Sequence, residues 1–279
     1  MKTLSDDEIK VEDIKYSNIN IDELLTDVKK VVAFVGSSGS GTSFIVNTLA
    51  ELLSSKGINV AILDATRNKN SYYIYTKNED NLRKIAFTSI EKLSKGESEG
   101  IQRNNNLTVY TAIPGENKFL SEVKPILETL LKKHSLILID CDYNTPSEYL
   151  EYAQEIYLVQ SMNILSIQPF TEALAKFEDK GMINVRKLRI IINKFMEIPG
   201  ITEKEIIGGM AFYNEPSLSY MKQLFNKELI KYMTIPFEQK NCERYLQQIV
   251  NCDIKINDYS MTYLQILEEL SDNVYPHKN

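Results

Sequence analysis

The residues with the clearest chemical purpose are Gly36-Ser37-Ser38-Gly39-Ser40-Gly41-Thr42-Ser43. They follow the phosphate-binding consensus G-x-x-x-x-G-K-[ST] at Gly36, Gly41 and Ser43, and depart from it only at Thr42, where a lysine should stand. In such a loop the glycines reach positive φ and let the backbone approach phosphate oxygens, so that N–H groups form an anion cradle. The lysine brings the charge that meets the terminal phosphates. A hydroxyl takes its place here, so one short segment predicts a nucleotide site and argues against hydrolysis at it. Ser43 stands where a hydroxyl coordinates Mg2+; its plainer role is that of an N-terminal helix residue.

A loop of this kind needs a parallel strand before it and a helix after it. The run Val31-Val32-Ala33-Phe34-Val35 predicts the strand. Ile45, Leu49, Leu52 and Leu53 fall on one helical face and predict a helix over 43–55, stopped by Gly57. Further strands are expected over 59–63, 107–113, 136–140, 156–159, 188–192 and 229–235, with helices over 81–93, 120–132 and 263–274. The alternation predicts an α/β fold, a mainly parallel sheet covered by helices on both faces. Asp64, Asp140 and Asn193 each directly follow an apolar run, so all three should face the crevice at the carboxyl ends of the strands. Asp140 ends a wholly apolar strand and would hold Mg2+ through water. Asp64 is the other carboxylate candidate, for the metal or for catalysis. Asp142 and Thr145 follow in a turn, where an Asx-type arrangement is the simpler expectation. Arg67 and Lys69 could replace the missing charge, although solvated loop cations are commoner.

Composition narrows the classes. The chain has 279 residues, 43% of them hydrophobic, enough for a core in one large domain. Residues 1–29 are expected to be a polar leader, with scattered Ile14, Ile19, Ile21, Leu24 and Leu25, ahead of a nucleotide-binding domain over 30–279. A net charge of −6 disfavours broad capture of nucleic acid or anionic membrane. The densest basic stretch, Lys176, Lys180, Arg186, Lys187 and Arg189, leaves DNA binding open, but Glu178 and Asp179 favour a solvated helix face. Cys141, Cys242 and Cys252, with only two histidines, are expected to be free thiols in a reducing compartment. No window approaches about eighteen apolar residues, so a cytoplasmic protein is expected. The closing helix carries Glu268, Glu269 and Asp272 and should pack on the sheet, since a membrane-surface helix wants basic flanks. Tyr72, Tyr73 and Tyr75 suit either a partner-binding patch or packing at a domain edge, the latter being commoner.

From Lys30 to Cys252 the chain resembles the ParA/MinD branch of P-loop NTPases, the deviant Walker A class. The resemblance is carried by GSSGSGTS, ILDATRN, LILIDCD, EIYLVQSMNILSI, IINK and MTIPFE. It implies a three-layer sandwich and ATP with Mg2+ at a homodimer interface. It also implies that Asn193, beside Lys194, reads the adenine edge while the segment around Pro236 covers the base. Three family charges are absent. The signature lysine that reaches the partner's phosphates falls at Ser37, the Walker lysine at Thr42, and the second carboxylate of D-x-D, which orients the attacking water, at Thr66. Losing one cation at a comparable phosphoryl-transfer site costs on the order of 10³-fold in rate. Gly39-Ser40-Gly41-Thr42-Ser43 is similar to the G-x-G-T-S of the TadZ/CpaE-like proteins of pilus assembly. Residues 1–29 are too short for the receiver-like domain that those proteins often carry. The resemblance implies a positioning or assembly factor for a pilus, secretion or conjugation machine, recruited by a protein partner to the inner face of the membrane, with weak or no ATP hydrolysis. An active ParA-like ATPase in DNA or complex partitioning is the alternative, and a nucleotide-free interaction module on the same fold is a further one.

Overall fold

The computed structural model describes residues 21–26, 28–115, 122–163, 185–201, 203, 206 and 231–276. Along the chain come α1 (Ile21–Leu24), β1 (Lys30–Gly36), α2 (Thr42–Ser55), β2 (Val60–Asp64), α3 (Asn70–Tyr75), α4 (Asp80–Ser94), β3 (Ile101–Asn104) and β4 (Leu107–Tyr110). There follow α5 (Val123–Lys133), β5 (Leu136–Cys141), α6 (Glu148–Tyr152), β6 (Glu155–Ser161), β7 (Leu188–Phe195), β8 (Lys231–Pro236), α7 (Gln239–Val250) and α8 (Met261–Val274).

The strands form one sheet in the order β3-β4-β2-β5-β1-β6-β7-β8. Every pairing is parallel except β3 with β4 at the edge. Helices cover both faces, which explains why the central strands are continuous apolar runs without alternation. Successive β1 side chains enter opposite cores. Val31, Ala33 and Val35 pack with Ile126, Leu127 and Leu130 of α5, while Val32 and Phe34 pack with Ile45, Leu49 and Leu53 of α2 and with Leu267 and Leu270 of α8. The closing helix thus lies on the sheet, as its acidic face led us to expect. This is the α/β sandwich that the alternation predicts.

Register sets the site. Asp64 of β2 lies level with Asp140 of β5, and Asn193 of β7 lies level with Ser161 of β6. All lie at the carboxyl edge, where β1 runs into the glycine loop.

One local expectation changes, and two further elements, β3 and α3, go beyond the sequence reading. Strand β4 stops at Tyr110, and Thr111 leaves the sheet to turn its hydroxyl towards Asp64 at 3.2 Å. Strand β3, with the polar sequence Ile-Gln-Arg-Asn, carries too little apolar signal to stand out, because only Ile101 is buried at this sheet edge. The tyrosine-rich stretch is helix α3, in which Tyr75 is buried with its phenol donating to Asn47 at 3.1 Å, whereas Tyr73 is 60% exposed. At the amino end, Ile21 is buried against the core under α5. The rest of the leader before Ile21, the basic positions Lys176 and Lys180, and the expected element ends at 120, 121, 229 and 230 lie outside the described residues. Among the described residues no helix is long and apolar enough to cross a membrane.

Candidate functional site

The loop from Gly36 to Ser43 is shaped by two kinds of glycine. Gly39 and Gly41 hold φ of +81° and +90°, a region that L side chains rarely adopt. Gly36 is needed for space: a Cβ there would lie 2.2 Å from Thr42 Oγ1 and 2.8 Å from the Val159 carbonyl oxygen. The chain therefore turns tightly from β1 into α2, whose first N–H groups have no partner within the helix.

At the start of α2 the Ser43 hydroxyl donates to Asp140 Oδ2 at 2.6 Å, and Asn70 Nδ2 donates to Ser43 Oγ at 3.3 Å. The other carboxylate oxygen, Asp140 Oδ1, is buried and has no hydrogen-bond partner among the described residues. Burial, and then the neighbouring Asp64 carboxylate, push the Asp140 carboxyl well above the usual carboxylate range, against the Ser43 hydrogen bond. A hydroxyl and an orphaned carboxylate oxygen at the foot of a phosphate cradle form the donor set that a magnesium ion takes together with nucleotide oxygens and water. Among the described residues no group of three or more His, Cys, Asp or Glu could hold a metal alone.

Asp64 is differently placed. Its Oδ1 accepts from the Thr66 N–H at 3.1 Å and the Thr66 hydroxyl at 2.6 Å; its Oδ2 accepts from the Ser71 N–H at 2.9 Å and the Thr111 hydroxyl at 3.2 Å. Four donors occupy both oxygens, and Asp64 does not line the cleft. The carboxylate ties the turn after β2 to α3 and to the end of β4.

Lys69 departs from the solvated cation expected of a loop lysine. It is 2% exposed, at φ +51°, and its ammonium donates to the carbonyls of Thr66 and, at 3.4 Å, Asp64. Burial lowers the ammonium to about 8, opposed by Asp64, Asp142 and Asp140. No sequence pattern separates this lysine from Arg67; its burial follows from how the turn folds back. Asp142 makes the expected turn: Oδ1 accepts from Asn144 N–H at 2.7 Å and Oδ2 from Arg67 N–H at 2.7 Å, while the Thr145 hydroxyl accepts from Asp142 N–H at 3.0 Å.

At two of the positions where the resemblance implies family charges the hydroxyl is bonded within the protein: Thr42 Oγ1 lies 2.9 Å from Ser40 Oγ, and the Thr66 hydroxyl donates to Asp64. Ser37, at the third, stands beside Tyr143.

Above the loop opens a cleft of about 560 Å³ that runs past Asn193 and Lys194 to Pro236 and Phe237. Asn193 Nδ2 donates to the Ser40 carbonyl at 2.8 Å, and its Oδ1 accepts from the Lys194 N–H at 2.9 Å. One wall is aromatic, a feature that sequence reasoning missed. Phe44, the residue after Ser43, stacks on Tyr263 at 4.9 Å and meets Tyr245 edge-on at 4.8 Å. Their wide separation in sequence hides the cluster, although Phe44 itself adjoins the loop. Glu238 and Asn241 complete the far end. Ser260 fixes both: its hydroxyl donates to Glu238 Oε1 at 2.8 Å, and its N–H donates to Asn241 Oδ1 at 3.1 Å. The structure thus gathers Gly36 to Gly39, Gly41 to Ser43, Asp140, Asn193, Lys194 and Pro236 around one cleft, and leaves the buried Ser40 and Asp64 out of its lining.

No protein-family model matches the sequence, and no curated protein matches it significantly. Solved structures do match in fold. A plasmid partition protein from Borrelia burgdorferi B31 bound to AMPPNP is 17% identical, with a TM-score of 0.60 over 88% of this chain and 100% of that one. MinD of Aquifex aeolicus, in complex with MinC, is 15% identical, with a TM-score of 0.60 over 90% of this chain and 97% of that one. MinD from Pyrococcus horikoshii OT3 with Mg-ADP is 14% identical, with a TM-score of 0.58 over 88% and 96%. The fold is that of the ParA/MinD-type P-loop NTPases.

Proposed function

We propose that this chain binds MgATP in the cleft, turns it over weakly or not at all, and acts as a positioning or assembly factor. The observation that carries this reading is a shaped phosphate cradle with a cation-ready floor, Ser43 on Asp140, in which the positions that the resemblance assigns to family charges are the hydroxyls of Ser37, Thr42 and Thr66, the last two bonded within the protein. The binding half needs only groups that are present: backbone N–H groups, the α2 N-terminus, and a magnesium ion held by Ser43 and, directly or through water, by Asp140. The ion neutralises phosphate charge and fixes the triphosphate. Asp64, filled by four donors, holds the turn that carries Thr66 and Asn70. The base lies towards Pro236 and Phe237, along the aromatic wall. The AMPPNP and Mg-ADP complexes of the similar structures support nucleotide binding.

The chain acts in the cytoplasm as a homodimer with nucleotide at the interface. Its likeness to the TadZ/CpaE-like branch at residues 39–43 directs that dimer to a pilus, secretion or conjugation machine at the inner membrane face. Partition is the second reading, favoured by the similarity to a plasmid partition protein. Calorimetry with MgATP and a phosphate-release assay on one preparation separate the possibilities. Saturable binding is expected, with turnover on the order of 10³-fold below lysine-bearing homologues. Asp140→Asn should remove the Mg2+ dependence of that binding. No heat at millimolar nucleotide overturns nucleotide binding, and DNA-stimulated phosphate release favours partition.

A further inference from the structure

The cleft continues past the nucleoside side. Cys242, Leu246 and Ile249 recur at helical spacing along α7 and all line it. At 1.5 Å per residue they extend the lining by about 10 Å beyond Pro236 and Phe237. Tyr73 and Ile74 of α3 supply a second apolar wall.

Both walls are tied to α2. Asn47 is buried; its Nδ2 donates to the Tyr245 phenol of α7 at 3.2 Å, and its Oδ1 accepts from the Tyr75 phenol of α3 at 3.1 Å. One amide thus sets the separation of the two helices and turns both phenol oxygens inwards. Just beyond α7, the Cys252 thiol donates to the Tyr73 carbonyl at 3.6 Å and joins the walls at the end away from the loop. The result is an apolar slot between α3 and α7 that opens onto the phosphate loop. Its walls remain in contact with water: Leu246 is 62% exposed and Tyr73 60%, the latter ring held edge-on by Tyr72 at 5.6 Å. Such surface favours whatever covers it.

The mouth of the slot limits what that is. There stand the loop N–H groups and Ser43 on Asp140, which suit a diphosphate with Mg2+. A wholly apolar ligand would leave these groups unused, and a nucleotide runs from the loop towards Asn193 and Pro236. A diphosphate joined directly to an apolar chain matches cradle and slot together.

We propose that the slot between α3 and α7 is a second ligand arm, which takes the short alkyl or prenyl chain of a diphosphate held at the loop with Mg2+. The proposal rests on the reading of residues 36–43 as a phosphate site. Because the loop is shared, such a ligand and MgATP exclude each other.

Calorimetry with Mg-pyrophosphate and Mg-geranyl diphosphate, on the native protein and on Leu246→Gln, tests it. Leu246 is exposed on a helix, where glutamine is well accepted, so this variant should fold. The native protein should bind geranyl diphosphate roughly 10- to 100-fold more tightly than pyrophosphate, the gain from burying a few methylene groups. MgATP should displace it. Leu246→Gln should lower that ratio by about threefold or more and retain pyrophosphate binding; Tyr73→Ser, in the other wall, should act alike. A ratio that neither substitution lowers overturns the proposal, since the chain then lies elsewhere. Failure of MgATP to displace geranyl diphosphate also overturns it, because the head is then not on the loop. If MgATP and both diphosphates bind but the chain adds nothing, the apolar arm alone fails. If none of the three binds, the phosphate reading fails and takes the proposal with it.

Discussion

Gly39 and Gly41 form an internal control for how the loop is held. Both sit at positive φ, +81° and +90°, so replacing either by alanine imposes a similar backbone penalty of about 1–2 kcal/mol. Their surroundings differ sharply. A Cβ at Gly39 meets nothing within 4 Å, whereas one at Gly41 lands 2.1 Å from Asn193 Nδ2. In Gly41→Ala the amide must swing away, which loses its bond to the Ser40 carbonyl, about 1 kcal/mol, and forces a strained rotamer for roughly another 1 kcal/mol. Gly41→Ala should therefore be less stable than Gly39→Ala by about 2 kcal/mol. At a urea m-value near 3 kcal/mol per molar, that separates their midpoints by about 0.7 M. Urea denaturation followed by circular dichroism, with the native protein alongside, measures the difference. Coincident midpoints would refute the close Gly41–Asn193 packing.

Two further predictions concern the frame around the site. His134 is buried, with Nδ1 donating to Asn59 at 2.7 Å and Nε2 accepting from the Tyr110 phenol at 2.9 Å, and burial, then Lys133, lower it to about 4. Because the unfolded value is about 6.5, its contribution is complete above that pH and lost as pH falls towards about 4, by roughly 3 kcal/mol; unfolding of the native protein against His134→Gln from pH 7 to 4.5 should show the gap narrowing, and a constant gap would contradict it. Ser260 caps α8 by accepting from the Tyr263 N–H at 3.1 Å and also holds Glu238, so Ser260→Ala should lower stability by about 1–2 kcal/mol and weaken nucleotide binding, while a loss of stability alone would detach Glu238 from the site.

Most of the architecture could be read from the order of residues because central strands buried on both faces announce themselves as apolar runs. Val31 to Val35 and Leu136 to Asp140 needed no tertiary information. The edge pair was harder: β3 is half solvated, and its Arg103 is placed by Glu51 of α2 at 3.0 Å and by Asp253, contacts that only the folded chain creates. At the site, strand-terminal positions predicted which backbone points converge, but not which way each side chain turns. Asp64 and Asp140 look equivalent in sequence, as polar ends of apolar runs. In the fold, Thr66, Ser71 and Thr111 surround one, and among the described residues Ser43 alone reaches the other. The difference lies in the turns beyond the strands, where the sequence carries little periodic signal.

The distribution of charge around the loop links these details. The lysine-free loop has a buried cation nearby, but Lys69 lies beneath the turn after β2, with its ammonium on the Asp64 and Thr66 carbonyls and within the field of Asp64, Asp142 and Asp140. Its charge therefore moderates a cluster of carboxylates. It does not line the cleft above. The attraction for a triphosphate is left to backbone N–H groups, to the α2 N-terminus, equivalent to roughly half a positive charge, and to whatever cation Asp140 and Ser43 hold. The first two are partial charges aimed at the bound phosphates, and neither supplies the full positive charge that a lysine would place on the oxygens that gain charge during cleavage. The proposed function asks no more of this set of groups than to retain a nucleotide, and the missing full charge is its reason for expecting slow hydrolysis.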